Sequence, residues 1–190
     1  MINALYEHLP ECVDVCGKHY PIVTDFRDWI AFSDMLEDPN ALPRDKIAAA
    51  MSWFDGDVPQ DAAEALAALK AFFVANALRS DRALEQSENR PEAEKRRTLS
   101  YRMDAAYIIA DFKRYYNIDL IHIKYLHYWE FRLLMQGLPD DCQVKKRIAY
   151  RSTDLVSIKD PAERNRIRRI QVEIAIDTIC DDDDIADAFL

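Results

Sequence analysis

Near the front of the chain, "ECVDVCGKHYPIV" alternates Val13 and Val15 against Cys12, Asp14 and Cys16, breaks at Gly17-Lys18, and resumes with Tyr20 and Ile22. A period of two predicts a short β-hairpin over about residues 11–23, with Gly17 at the first central position of its turn. From about residue 25 the period becomes helical. Thr24 or Asp25 is placed to cap "FRDWIAFSDMLED", in which Phe26, Trp29, Ile30 and Ser33 share a face. "RDKIAAAMSWFDG" ends at a glycine, as helices often do. Val58-Pro59 opens an alanine-rich helix through Leu78, with proline in its first turn. Residues 80–97, "SDRALEQSENRPEAEKRR", are polar and proline-broken and read as an exposed connector. Beyond it Tyr101, Ala105, Ile108, Phe112 and Tyr115 recur at helical spacing. Further helices are expected around "CQVKKRIAYRSTDL" and from Pro161 to about Cys180. The pattern as a whole predicts a mainly α fold: a single helical domain over residues 1–180 with a short N-terminal β-hairpin, then an acidic tail over 181–190. Its expected core includes Phe26, Trp29, Ile108, Phe112, Leu126, Trp129 and Leu133.

The densest run of chemistry is "NIDLIHIKYLHYWEFRLLMQGLP", residues 117–139. Wound as a helix, it places His122, Leu126, Trp129 and Leu133 on one side and Ile121, Tyr125, Tyr128 and Met135 on another. Ile123, His127, Glu130 and Leu134 make a third. Apolar residues nearly all round predict packing on several sides. His122 and His127 are five apart, about 140° around a helix at ~100° per residue, so they cannot chelate one ion from it. His127 and Glu130 are close enough to meet, but a di-metal bundle uses Glu-x-x-His twice with further carboxylates. The segment reads as core, with no metal or acid–base role.

The spacing Cys12-x3-Cys16-x2-His19 invites a zinc reading. If residues 12–16 form a strand, however, four steps of ~3.3 Å separate the two sulfur-bearing positions by roughly 13 Å, too far for one ion. Cys142 and Cys180 are isolated, so no second pair of ligands follows. Only three glycines, Gly17, Gly56 and Gly137, occur in 190 residues, and no G-x-S-x-G. Phosphate-cradling loops and nucleophile elbows both need more glycine than this. The acid pair Asp104 and Asp111 lies seven apart on one helical face, which solvated or capping carboxylates explain more simply than catalysis. No catalytic, metal or cofactor site is expected.

The length allows roughly two-thirds of the unfolded surface to be buried. A net charge of −9 opposes general binding to nucleic acid or to an anionic membrane. No basic-then-apolar stretch opens the chain and "AAEALAALKAFFVANAL" is interrupted by Glu64 and Lys70, so a soluble protein of a reducing cytoplasm is expected. The charge is uneven. Nine bases against three acids give residues 142–169 a net +6, whereas residues 170–190 carry seven acids and no base. Lys145, Lys146, Arg147, Arg151, Arg164, Arg168 and Arg169 are therefore candidate partner-binding residues, unless they form a solvated face paired with the acidic body or tail. Phe189 and Leu190 tip the tail "CDDDDIADAFL" and join the candidates, because four aspartates at a helix C-terminus oppose its dipole and favour a frayed interaction arm or a solubilising tail.

Several of these stretches together carry a resemblance. "HYPIVTDFRDWIAF" after "LPECVDVCGK", then "MDAAYIIADFKRYYNIDL", "LHYWEFRLLMQGLP" and "RIAYRSTDL" are similar to the bacteriophage family called gene product fifteen. The match covers most of residues 9–155, with Tyr128 where a second tryptophan is common. These are packing motifs and say nothing about chemistry. The family has no assigned reaction, and its genes typically lie in the tail-morphogenesis region of long-tailed phages and prophages, beside the tape-measure gene. The resemblance thus implies a non-enzymatic tail assembly chaperone in the host cytoplasm. Its partner would be the tape-measure or another tail protein, with self-association left open. A structural virion component of the tail or head–tail junction is the first alternative. A nucleic-acid-binding module using residues 145–169 is the second.

Overall fold

A computed structural model describes residues 6–74 and 98–176 of the chain. The C-terminal tail with Phe189 and Leu190, the connector at 80–97, and the ends of two expected helices, at Leu78 and Cys180, lie outside these residues. The described part is mainly helical, with one two-stranded antiparallel sheet. Its elements are β1 (Cys12–Val15), β2 (Lys18–Pro21), α1 (Phe26–Glu37), α2 (Pro43–Ala50), α3 (Ala62–Val74), α4 (Tyr101–Tyr116), α5 (Tyr128–Gly137), α6 (Gln143–Ser152) and α7 (Pro161–Glu173). They fall into two compact units. One takes residues 6–74 with Tyr125–Leu133, the other 98–124 with Leu134 onward.

In the first unit β1 pairs with β2 in the register Val13↔Tyr20 and Val15↔Lys18, which closes a two-residue loop of Cys16 and Gly17. Both take positive φ, 53° and 76°, the signature of a type I′ turn. Gly17 is thus at the second central position, one later than the alternation predicts, and Cys16 occupies a left-handed site usually given to Asn, Asp or Gly. The Asp14 carboxylate steadies the turn by accepting from the Gly17 N–H at 2.9 Å. Val13 and Val15 point inward, where β1 packs against α3. Helix α3 starts at Ala62 rather than at Pro59, because Asp61 supplies the cap: its side chain accepts from Glu64 N at 3.1 Å.

An aromatic cluster fills this unit. Trp29, fully buried, lies 4.6 Å from Phe72 and 5.6 Å from Tyr128 between ring centroids, and Phe26 stacks on Phe131 at 4.9 Å. Each such ring contributes on the order of 2–3 kcal/mol through burial. The indole N–H groups are all spoken for: Trp29 donates to Val23 O, Trp53 to Asp28 O and Trp129 to Phe72 O, at 2.8, 3.1 and 2.9 Å. A buried Trp needs such a partner.

The run at 117–139 is not one helix. Residues 117–127 are irregular, Asn117 closes α4 in the left-handed conformation (φ 54°), and α5 begins only at Tyr128. Its inward residues are Tyr128, Trp129, Phe131 and Met135. Leu133, expected in the core, is instead 39% exposed, since two steps from Phe131 rotate it about 200° to the far side. The other expected core positions, Phe26, Trp29, Ile108, Phe112, Leu126 and Trp129, are buried.

In the second unit α4 packs on α6, and α6 on α7. Tyr116 donates to Leu134 O at 2.8 Å, and its hydroxyl approaches so closely that a Cβ on Gly137 would lie 3.0 Å from it. No helix among the described residues is long and apolar enough to cross a membrane.

Candidate functional site

The polar residues with chemical potential sit at helix ends. In the first unit, Thr24–Phe26 and Leu126–Tyr128 form a two-rung antiparallel bridge, with Phe26 N donating to Leu126 O at 2.9 Å and Tyr128 N to Thr24 O at 2.8 Å. Two helices start from it. Asp25 caps α1, accepting from Arg27 N at 3.0 Å through one carboxylate oxygen and from Leu126 N at 3.3 Å through the other. His127 precedes α5 and caps it in the same way, its Nδ1 accepting from Trp129 N at 3.0 Å. An accepting Nδ1 leaves the proton on Nε2, which lies 3.1 Å from the Pro10 carbonyl and donates to it. Burial lowers the pKa of this imidazole, against the raising effects of the Pro10 hydrogen bond and of Glu11 and Glu130. His127 is therefore a neutral capping residue that ties the segment before the hairpin to α5. The side chains of α5 also serve α3: Trp129 donates to Phe72 O, and Tyr128 and Arg132 donate to Phe73 O at 3.2 and 2.6 Å. Carbonyls in the last turn of a helix need such donors.

In the second unit the acid pair on α4 is buried on both counts, at 0% exposure for Asp104 and 2% for Asp111. Neither carboxylate is solvated. Asp111 accepts from Val144 N at 2.8 Å in the first turn of α6, where Cys142 also caps, its sulfur 3.4 Å from Lys145 N. A carboxylate at a helix N-terminus is favoured by the dipole as well. Burial pushes the Cys142 thiol up, and its hydrogen bond to Asp111 helps keep it protonated, although backbone N–H groups pull the other way. Asp104 accepts from Ser100 N at 3.1 Å, from Arg147 Nε at 2.7 Å, and from Arg151 Nη1 and Nη2 at 2.5 and 3.0 Å. Burial alone would raise its pKa, but hydrogen bonds from Arg151, Ser100 N and Arg147 together outweigh it and hold Asp104 below the ordinary carboxylate value.

These bonds divide the basic segment. Arg151 is buried and also donates to Thr98 O and Ile174 O, at 2.9 and 2.8 Å. Arg147 is half-buried, with its guanidinium 4.4 Å from the centre of the Tyr107 ring. Arg164 donates twice to Ile158 O, at 3.0 and 2.7 Å, and Lys145 donates to Gln136 O at 3.2 Å. The expectation that all seven bases are available to a partner is thus corrected for Arg147 and Arg151, whose charges are committed to a buried carboxylate. Lys146, Arg168 and Arg169 are exposed. The acids that pair inside were legible only as a seven-residue spacing, and nothing in that spacing names Arg147 and Arg151 as their partners.

Charge also sorts by unit. The described residues of the first unit carry fourteen acids against six bases, those of the second nine against thirteen. Among the described residues no group of three or more His, Cys, Asp or Glu could hold a metal ion, and no buried side-chain nitrogen or oxygen lacks a hydrogen bond. In comparisons with known proteins, a family model described as Bacteriophage Gp15 protein matches residues 5–176. No curated protein and no solved structure matched.

Proposed function

The chain belongs to the Bacteriophage Gp15 protein family and is a phage protein, and from that premise we propose that it is a non-enzymatic tail-morphogenesis protein, an assembly chaperone that holds the tape-measure protein before the tail tube forms. The observation that carries this reading is the use made of the polar side chains. His127, Asp104, Asp111, Arg147, Arg151 and Cys142 each hold a helix end, a carbonyl or one another. What remains for a partner is surface. The first unit, with its excess of eight negative charges over the described residues, suits encounter with a basic or apolar helical protein and would keep the pair in solution. The work of such a protein is done in the host cytoplasm, before particles mature.

Co-expression with the tape-measure protein of the same phage or prophage tests the proposal. Affinity capture should recover the two in fixed stoichiometry, as a complex sized by light scattering, where the tape measure alone is insoluble. A chain that stays soluble while the tape measure precipitates overturns the chaperone reading. Its presence in purified particles would then support a structural role in the tail or head–tail junction.

A further inference from the structure

We propose that His127 is an acid-sensitive latch, whose protonation frees the first turn of α5 from the segment before the hairpin while the rest of the first unit stays folded. The inference stands apart from the tape-measure reading. The ring is buried, with Phe72 of α3 at 6.0 Å and Trp129 of α5 edge-on at 6.4 Å between centroids. Both of its nitrogens are used: Nδ1 accepts from Trp129 N at 3.0 Å, and Nε2 donates to Pro10 O at 3.1 Å. That arrangement exists only for the neutral ring. An imidazolium has two donors and no acceptor, so turning it over within its slot still sets an N–H or a C–H against the Trp129 N–H. A charge in this apolar slot also loses its water. The protonated ring therefore gains by leaving.

The charges around the slot give it somewhere to go. Glu11, just before β1, and Glu130 on α5 are both exposed, and both act on the imidazole in favour of its protonated form. Asp25 faces His127 across the two-rung bridge, but its carboxylate is held by Arg27 Nη1, 3.1 Å from each oxygen. Once the ring swings out to the two glutamates, Pro10 O and Trp129 N lose the partner they share. A ring opened to solvent titrates near the ordinary 6.5, whereas burial holds the closed one lower. Acid therefore favours the open form, by up to about tenfold between about pH 7.5 and 5.5.

Amide exchange followed by NMR on the full chain tests this, with rates corrected for the intrinsic effect of pH. Two amides report the latch: Trp129, held by the ring, and Ile22, whose N–H donates to Glu11 O at 3.0 Å. Leu69, fully buried on α3, reports unfolding of the whole unit. Over that pH range the opening at Trp129 and Ile22 should rise together by up to about tenfold. At low urea it should be nearly independent of denaturant, while opening at Leu69 climbs. In H127N, whose side chain can cap without titrating, the pH dependence should vanish; circular dichroism verifies that the variant is folded. E11Q and E130Q retain the ring, and each should lower its NMR titration midpoint. Trp129 exchange that tracks Leu69 in urea overturns the proposal, because acid then acts on the whole unit. So does a rise at Trp129 without Ile22, which leaves the segment in place, or a pH response that persists in H127N. A His127 that titrates at or above 6.5 in the folded chain, or a midpoint unmoved in both glutamine variants, overturns it as well.

Discussion

Replacing Asp104 by Asn removes one negative charge from a site where no water reaches it. Two guanidinium groups converge on this carboxylate, one from a residue only 8% exposed, and three of its four hydrogen bonds come from them. In Asp104→Asn the amide nitrogen points a donor at a donor, and Arg151 keeps its charge inside with only neutral acceptors, the remaining amide oxygen and the Thr98 and Ile174 carbonyls, to solvate it. Breaking a buried pair from one side costs about 3–5 kcal/mol. The lower end applies here, because those carbonyls remain and Arg147, with 18% of its side chain exposed, can turn to water. About 3 kcal/mol corresponds to a fall of roughly 6–12 °C in Tm for a chain of this length. The assay is a double-mutant cycle by urea and thermal denaturation with Asp104→Asn, Arg151→Met and the pair. Arg151→Met removes the charge that Asp104→Asn strands, so the double variant should be more stable than additivity predicts by about 2 kcal/mol. Acid should act in the same direction. The folded pKa of Asp104 lies below its ordinary 3.8, so its ionised form supports the fold above that value, and the support fades as pH falls through 3.8 towards the folded pKa. An Asp104→Asn cost below about 1 kcal/mol, or additive single changes, would refute the view that this pair is a buried, mutually dependent unit.

Three further outcomes follow from the first unit. His127→Ala should cost about 1–2 kcal/mol as a lost cap. Because the folded imidazole has its pKa lowered from 6.5, the unfolded chain binds the extra proton, and wild-type stability should decline as pH drops through about 6.5; the variant should show a flatter profile in chemical denaturation across that range. At the hairpin, Cys16→Asn should raise the unfolding free energy measured in urea slightly, by under about 1 kcal/mol, and Gly17→Ala should lower it by about 1 kcal/mol, since alanine resists a φ of 76°. Phe131→Ala, at a fully buried ring, should cost about 3–5 kcal/mol, whereas Leu133→Gln should change stability by less than about 0.5 kcal/mol; equal losses in thermal melts would mean that α5 is rotated from the orientation described.

The contrast between Phe131 and Leu133 shows where sequence pattern stops being informative. A period of 3.6 relates helical positions to one another but does not say which face turns inward, and His122 and Leu126, which pointed to the Leu133 side, lie before the helix. "YLHYWEF" is apolar enough to satisfy a helix from either 117 or 128. The true start is set by His127 acting as a cap, with its ring held by Pro10 O and the next residue, Tyr128, donating its N–H to Thr24 O, both partners more than a hundred residues away. Local determinants are legible: the cap of α1, expected at Thr24 or Asp25 and found at Asp25, the valine alternation of the hairpin, and the helical fold class as a whole. Charge behaved like the caps. Arg147 and Arg151 look like their neighbours Lys146 and Lys145 in one dimension, because the property that separates them, a carboxylate at zero exposure on a different helix, is tertiary. The same inward turn of Asp104 and Asp111 that makes them structural leaves Arg102, Lys113 and Arg114 as the exposed charges of α4, with Lys113 paired to Asp119 beyond its end at 3.6 Å. One rotation of one helix therefore decides both which charges hold the second unit together and which stay at the surface.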